Sequence, residues 1–300
     1  MPIKDLLLAL VCVLLWGVNF VVMKHAVSEV PPFLLTALRF AMAAIPAVFF
    51  VRRPQVPWRY VVVYGIGFGI VQFAFMFTAF RLGSPSGLTA VLLQTQAFFT
   101  IALAFAVLGE RAGKLQMVGI GIAAVGVAVI IAGAAQGAAA LPIVLVIVAA
   151  LGWGVANIAL KLAKPDDMLA FTVWTSLVPP LPMLALSAFA EAPDAWAASW
   201  AHLTWAGAAA VLYLAYPISL GSGMAWASLM SRYPAATFAP FALLVPVIGM
   251  AGGAWVYNER LTILGMLGSG LVLAGLVVLI WAGRERSIAA ASSARQLDRR

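Results

Sequence analysis

The sequence predicts an all-α integral membrane protein of ten transmembrane helices in two inverted five-helix repeats, and three observations predict it. Of 300 residues, 64% are apolar and only 9% charged, against about 25% charged in soluble domains. The apolar residues fall into ten runs near the ~20 residues a helix needs to cross a bilayer, too long and too unalternated for barrel strands. The chain also echoes itself. Sliding residues 213–280 back by 149 positions lays Tyr213, Pro234, Glu259, Arg260, Gly268 and Gly275 over Tyr64, Pro85, Glu110, Arg111, Gly119 and Gly126. A shift of 137 sets Trp16, Gly17 and Lys24 over Trp153, Gly154 and Lys161, and the twelve-residue difference is expected as extra length around residues 191–200. Internal symmetry of this kind is what inverted-repeat transporters carry.

The first run, 5–24, follows Lys4 as a signal peptide would. No small-x-small cleavage site follows, and Trp16-Gly-Val-Asn continues the run, so it reads as a retained span. Runs at 33–51, 60–80, 86–108 and 115–133 complete a first repeat, residues 1–137. They are separated by Pro31-Pro32, Arg52-Arg53-Pro54, Gly83-Ser-Pro85 and the segment 109–113. Runs at 141–161, 168–190, 205–230, 235–256 and 263–282 make the second repeat, residues 138–282, followed by a basic tail, 283–300, expected to be disordered near anionic lipid.

With the N-terminus inside, fourteen Lys and Arg fall on the cytoplasmic side and three, Lys24, Arg81 and Arg260, on the other. Both termini are therefore expected in the cytoplasm. An odd number of spans per repeat threads the second copy upside down, with Glu110-Arg111 at the inner face and Glu259-Arg260 at the outer. The net charge of +8 reports topology rather than nucleic-acid binding, and the single Cys12 permits no disulfide framework.

Arg39 is the one charged residue well inside a predicted span, where an arginine costs about 2.5–3.5 kcal/mol on insertion scales. Either it meets a substrate carboxylate or serves a gate, or it snorkels to the outer interface about 10 Å away. Asn19, Asn157, Gln72, Gln94 and Gln96 either bond between helices, for roughly 1 kcal/mol, or face a cavity. Gln94 and Gln96 are two apart and diverge on a helix, so at most one is expected in the cavity. Phe73, Phe77 and Phe80 share a face, and Phe77 falls on Trp226 under the repeat. They pack against lipid or wall a cavity for apolar side chains. The expected substrate site is Asn19, Gln72, Gln94, Asn157 and Tyr213, with Phe77 and Trp226 as walls.

Pro217, Pro240 and Pro246 interrupt helices and free backbone carbonyls for ligands or hinges. Gly65, Gly67 and Gly69 allow close helix approach. The Glu110-Arg111 and Glu259-Arg260 pairs lock tight hairpins or exchange partners between gates. No Asp or Glu lies deep in any predicted span, which counts against a carboxylate proton relay. No metal constellation, phosphate loop or nucleophile-base-acid set is present in the sequence, so neither a cofactor nor enzymatic chemistry is expected.

Trp16-Gly-Val-Asn-Phe20, Leu38-Arg39-Phe40, Gly109-Glu-Arg111 and Asn258-Glu-Arg260 resemble the EamA family of the drug/metabolite transporter superfamily. Residues 87–101 and 244–262 are similar to its bacterial EamA- and YddG-type exporters of amino acids and their metabolites. The resemblance implies ten helices in two inverted halves, a cavity lined by the first, third, fourth, sixth, eighth and ninth spans, and export across the bacterial inner membrane. Asn157 falls one place later than Asn19 under the repeat, so the two amides are not expected to act equally. The function expected is a secondary transporter exporting neutral or aromatic amino acids and related metabolites by alternating access, as a uniport or facilitated exchange. It would act as a monomer whose partners are a small-molecule substrate and the lipid bilayer. A multidrug or metabolite proton antiporter on the same scaffold and, remotely, a membrane-embedded enzyme are the alternatives.

Overall fold

Lipid offers a peptide N–H no partner, so a chain this apolar satisfies its backbone within each segment and becomes helix. The computed structural model describes residues 2–110, 113–135, 140–192, 194–232, 241 and 243–297, and among these it contains helices and no strand. In chain order the helices are α1 (Ile3–Glu29), α2 (Pro32–Val48), α3 (Trp58–Arg81), α4 (Ser86–Leu108), α5 (Lys114–Ala135) and α6 (Ala140–Ala163). They continue with α7 (Met168–Ala190), a short α8 (Ala195–His202) and α9, which runs through Trp205–Tyr213, Leu214–Ser222 and Gly223–Arg232. The last two are α10 (Leu244–Tyr257) and α11 (Ile263–Leu297). Among the described residues eight are long and apolar enough to cross a membrane, while α2, at 17 residues, and α10, at 14, are shorter apolar helices. The extra helix α8 occupies the region where the sequence repeats differ in length.

Several helices are not the uniform rods the apolar runs suggest. In α3 the stretch Gly65–Gln72, and in α9 the stretch Leu214–Ser222, are wound as π-helix. A shift of 149 carries the start of one onto the start of the other. Pro217 lies inside the second stretch, where its missing N–H removes a helical bond. α4 is broken at Gln94 and Thr95, where the amides turn back three residues to Val91 and Leu92 instead of four. α7 is broken between Thr175 and Pro180. Pro246 stands in the first turn of α10, where an N–H has no helical acceptor in any case. Pro240 lies outside the described residues.

Glycine lets the helices meet at backbone distance. α5 and α11 run antiparallel in close contact: a Cβ on Gly119 would lie 2.9 Å from the Gly275 oxygen, and one on Gly126 2.7 Å from the Gly268 oxygen. Gly17 of α1 faces Ile248 of α10, and Gly154 of α6 faces Phe99 of α4. The two shifts of the sequence echo, 137 and 149, carry each contact of these pairs onto its counterpart. Gly67 of α3 likewise sits 2.6 Å from the Gly152 oxygen of α6, measured to the Cβ it lacks.

The ends of α4 and α10 are built alike. Gly109 (φ 67°) and Asn258 (φ 51°) adopt the left-handed conformation, and the next amides, Glu110 and Glu259, reach back to the Ala104 and Gly253 oxygens. A left-handed residue after the last turn lets the chain fold back and satisfy a carbonyl at each helix C-terminus.

If these close approaches hold the bundle, Gly268→Val, whose first side-chain carbon would meet the Gly126 oxygen at 2.6 Å, should cost about 1–3 kcal/mol, the range for overpacking. Gly270→Ala points into open space and should leave the thermal midpoint of the detergent-solubilised protein unchanged.

Candidate functional site

Between α1, α2, α3, α4, α6, α7, α9 and α10 lies a cavity of about 660 Å³. Its aromatic wall is a set of rings in mutual contact. Phe68 meets Phe40, Phe73 and Trp153 at centroid distances of 6.4, 5.4 and 5.9 Å, edge to face in each case. On the opposite part of the wall Trp226 leans on Trp16, 4.9 Å between centroids, and the Trp16 Nε1–H donates to Ser222 Oγ at 2.8 Å. The polar part of the lining is made by Arg39, Asn19, Gln72, Gln94, Gln96, Thr172, Ser176 and Ser219.

Arg39 does not snorkel. It is 2% exposed, its guanidinium lies 4.0 Å over the Phe73 ring and 5.5 Å from the Phe40 ring, and its Nε donates to Ser219 Oγ at 3.2 Å. A desolvated cation over an aromatic face gains about 2 kcal/mol. The second π segment makes the hydrogen bond possible: Ser219 donates to the Leu214 oxygen at 2.8 Å, which fixes its Oγ as an acceptor toward Arg39. One arm of the guanidinium, Nη1, has no partner. Asn19 Oδ1 and Gln72 Oε1 are also buried without partners, each such atom costing about 1–3 kcal/mol if left so. Gln72 closes the first π segment as Ser219 stands in the second.

Of the residues expected at the site, Asn19, Gln72, Gln94 and Trp226 line the cavity. Gln94 and Gln96 both do so, against the divergence expected of neighbours two apart, because the break in α4 falls at Gln94 and removes the regular turn on which that expectation depends. Phe77 is not a wall. It is fully buried behind Phe73, 5.5 Å between centroids, and the lining of α3 stops at Met76, just before it. Tyr213 does not line the cavity either; its hydroxyl donates to the Leu15 oxygen at 2.7 Å and ties α9 to α1. Asn157 stands one shell behind, donating to Gln96 Oε1 at 2.7 Å and Thr100 Oγ1 at 3.0 Å, so it orients Gln96 instead of meeting a ligand. Sequence reasoning missed Phe40, Phe68 and Trp153 as lining residues. The signal was present in part, since Trp16 and Trp153 coincide under the repeat.

The two Glu-Arg motifs turn out to be Glu-Lys pairs across helices. Glu259 bonds Lys24 of α1 at 2.6 Å, and Glu110 bonds Lys161 of α6 at 2.6 Å. The same shifts relate these pairs to each other. Backbone bonds close the ends of α4 and α10 beside these pairs; Arg260 is exposed, and Arg111 lies outside the described residues. The pairs differ in strength. Glu259, with a side chain 9% exposed, also accepts from the Ser86 amide and hydroxyl and the Gly87 amide, whereas Glu110 and Lys161 are half exposed. Burial raises the Glu259 carboxyl, but Lys24 and the Ser86 and Gly87 amides outweigh it and hold the group below the ordinary glutamate value.

The apolar helices define a multi-pass membrane protein with a large cavity among them. The EamA-like transporter family model matches the chain twice, at residues 3–132 and 140–281, and the chain belongs to that family. A probable amino-acid metabolite efflux pump of Salmonella typhimurium is 39% identical over 96% of this chain and 99% of its own length. Its Escherichia coli counterpart of the same description is 37% identical over 94% and 97%. A solved crystal structure, 19% identical, shares the fold over 92% of this chain and 95% of its own, with a TM-score of 0.58.

Removing the buried carboxylate should cost more than removing the exposed one. Glu259→Ala strands Lys24 and three donors and is expected to cost about 3 kcal/mol, while Glu110→Ala should fall within about 1 kcal/mol, as exposed pairs do. Because the folded-state value of Glu259 is lowered, its stabilisation is complete above the ordinary glutamate range and is lost as pH falls through the lowered value. Thermal unfolding from pH 7 to 3 should show this loss in the native protein and not in Glu259→Gln.

Proposed function

We propose that the protein exports neutral or aromatic amino acids and related small metabolites across the bacterial inner membrane by alternating access. The observation that carries this reading is the cavity between the helices, walled by aromatic rings and lined by residues with unmet bonding capacity, in a chain of a transporter family. The two relatives described as probable amino-acid metabolite efflux pumps support the same class of cargo.

In this reading α1 to α7 and α9 to α11, without α8, are ten transmembrane segments in two inverted repeats, with both termini in the cytoplasm. The twofold match of the family model supports it, as do the shift-related contacts of α5 with α11 and of α1 with α10 against α4 with α6. The Lys24–Glu259 and Lys161–Glu110 pairs then stand at opposite faces and act as latches of the two gates. The described cavity lining holds a cation and amides but no carboxylate. A monomer working by uniport or facilitated exchange fits this lining better than proton antiport, which needs a titrating group in the pathway.

Two measurements decide the matter. In a Cys12→Ala background, Arg111→Cys and Arg260→Cys should be labelled by an impermeant maleimide from opposite sides of the cell membrane; labelling from one side sinks the inverted arrangement. Proteoliposomes should release labelled amino acid without an imposed pH gradient, and Asn19→Ala, Gln72→Ala and Gln94→Ala should each slow release about tenfold or more. A strict requirement for the gradient would exclude uniport.

A further inference from the structure

We propose that the cavity recognises the zwitterionic head of an α-amino acid, with Arg39 donating to the carboxylate and the amide oxygens of Asn19 and Gln72 accepting from the ammonium group. The proposal deepens the exporter reading and rests on it for transport, though not for binding.

Among the described residues, buried side-chain atoms without a hydrogen-bond partner are few, and three of them, Arg39 Nη1, Asn19 Oδ1 and Gln72 Oε1, belong to residues that line this one cavity. All three side chains are at least nine-tenths buried, with exposures of 2%, 9% and 3%. Their chemistry is complementary to two groups and not to one. A guanidinium arm is a charged donor and seeks an anion, best a carboxylate. An amide oxygen is an acceptor and has nothing to offer an anion, but it suits the N–H donors of an ammonium group.

Arg39 is held for this task. Its Nε is committed to Ser219 and its face to Phe73, so the guanidinium cannot turn freely. The only charged residue in the described lining is this cation. An amine lacking a carboxylate would bring a second positive charge into a low-dielectric space with no anion to meet it. A carboxylic acid lacking the ammonium group would leave Asn19 and Gln72 unsatisfied, and a site with buried polar groups rejects the analogue that leaves them unpaired. The remainder of the substrate meets Phe40, Phe68 and Trp153, whose edges and faces suit an apolar or aromatic side chain. The second half of the chain offers no duplicate: the shifts carry Asn19, Arg39 and Gln72 onto Ala156, Ser176 and Gly221. The head group therefore has one orientation in the cavity.

The test uses the purified full chain and four probes that differ by one group: L-phenylalanine, phenethylamine, phenylpyruvate and N-acetyl-L-phenylalanine. Binding is measured by calorimetry in detergent, and release of labelled phenylalanine is measured separately from proteoliposomes. Phenylalanine should bind at least tenfold tighter than each of the other three. Arg39→Met should abolish the preference over phenethylamine, with Arg39→Lys restoring part of it, and Gln72→Met should narrow the preference over phenylpyruvate. Where Arg39→Met fails to fold, the native protein against the four probes still decides. Equal binding of phenethylamine or phenylpyruvate, or no binding of phenylalanine and the other neutral amino acids, overturns the proposal. Discriminating binding without release from vesicles leaves the head-group recognition standing and overturns the exporter reading instead.

Discussion

A guanidinium kept in the interior of a membrane protein sets the terms for what surrounds it. Arg39 keeps its charge in a span where lipid would penalise it by about 2.5–3.5 kcal/mol. Its compensation is drawn from three helices at once: the Phe73 ring on α3, the Ser219 hydroxyl on α9 and its own neighbour Phe40 on α2. That compensation is incomplete among protein groups, and the cavity beside it is where the rest can be supplied. A bundle packed tightly against Arg39 would have to bury an unmatched cation, so the open space and the charge require each other.

The π segments are the means by which apolar helices present polar groups at that point. A wider turn admits an extra residue and changes which side chains face inward. In α3 the segment ends on Gln72, and in α9 it contains Ser219 and Ser222, the latter receiving Trp16. Gly67 of the first segment brings α3 within backbone distance of α6, while Gly65 and Gly69 face Thr175 and Pro179 of α7. Packing and polarity are thus arranged by the same short stretch.

The all-helical character was legible in the sequence because lipid leaves an apolar chain little choice but helix, and because most ends of such helices fall at Pro, Gly or charge, which are conspicuous. The site was legible only where the residue type itself was anomalous for lipid. Arg39, Asn19, Gln72 and Gln94 stand out in an apolar run, and all four line the cavity. Aromatics do not stand out, and Phe77 and Phe73 are alike on a helical face, so nothing in their spacing says that the cavity ends between them. Tyr213 and Asn157 show the converse: an amide or hydroxyl in a membrane helix can be satisfied by a neighbouring helix, and these two are. The amides at 94 and 96 share the cavity because of a local break that no glycine or proline announces.

The head-group candidates, Arg39, Asn19 and Gln72, all come from the first half of the chain, while the interhelical contacts and ion pairs draw on both halves. On the proposed reading, cargo preference and mechanical framework are separable under mutation. Substitutions in α1 to α3 can retune what is carried without disturbing the crossings of α5 with α11. A duplicated ancestor that kept its framework in pairs and let its selectivity reside in one copy would be free to diversify its substrates by a handful of changes.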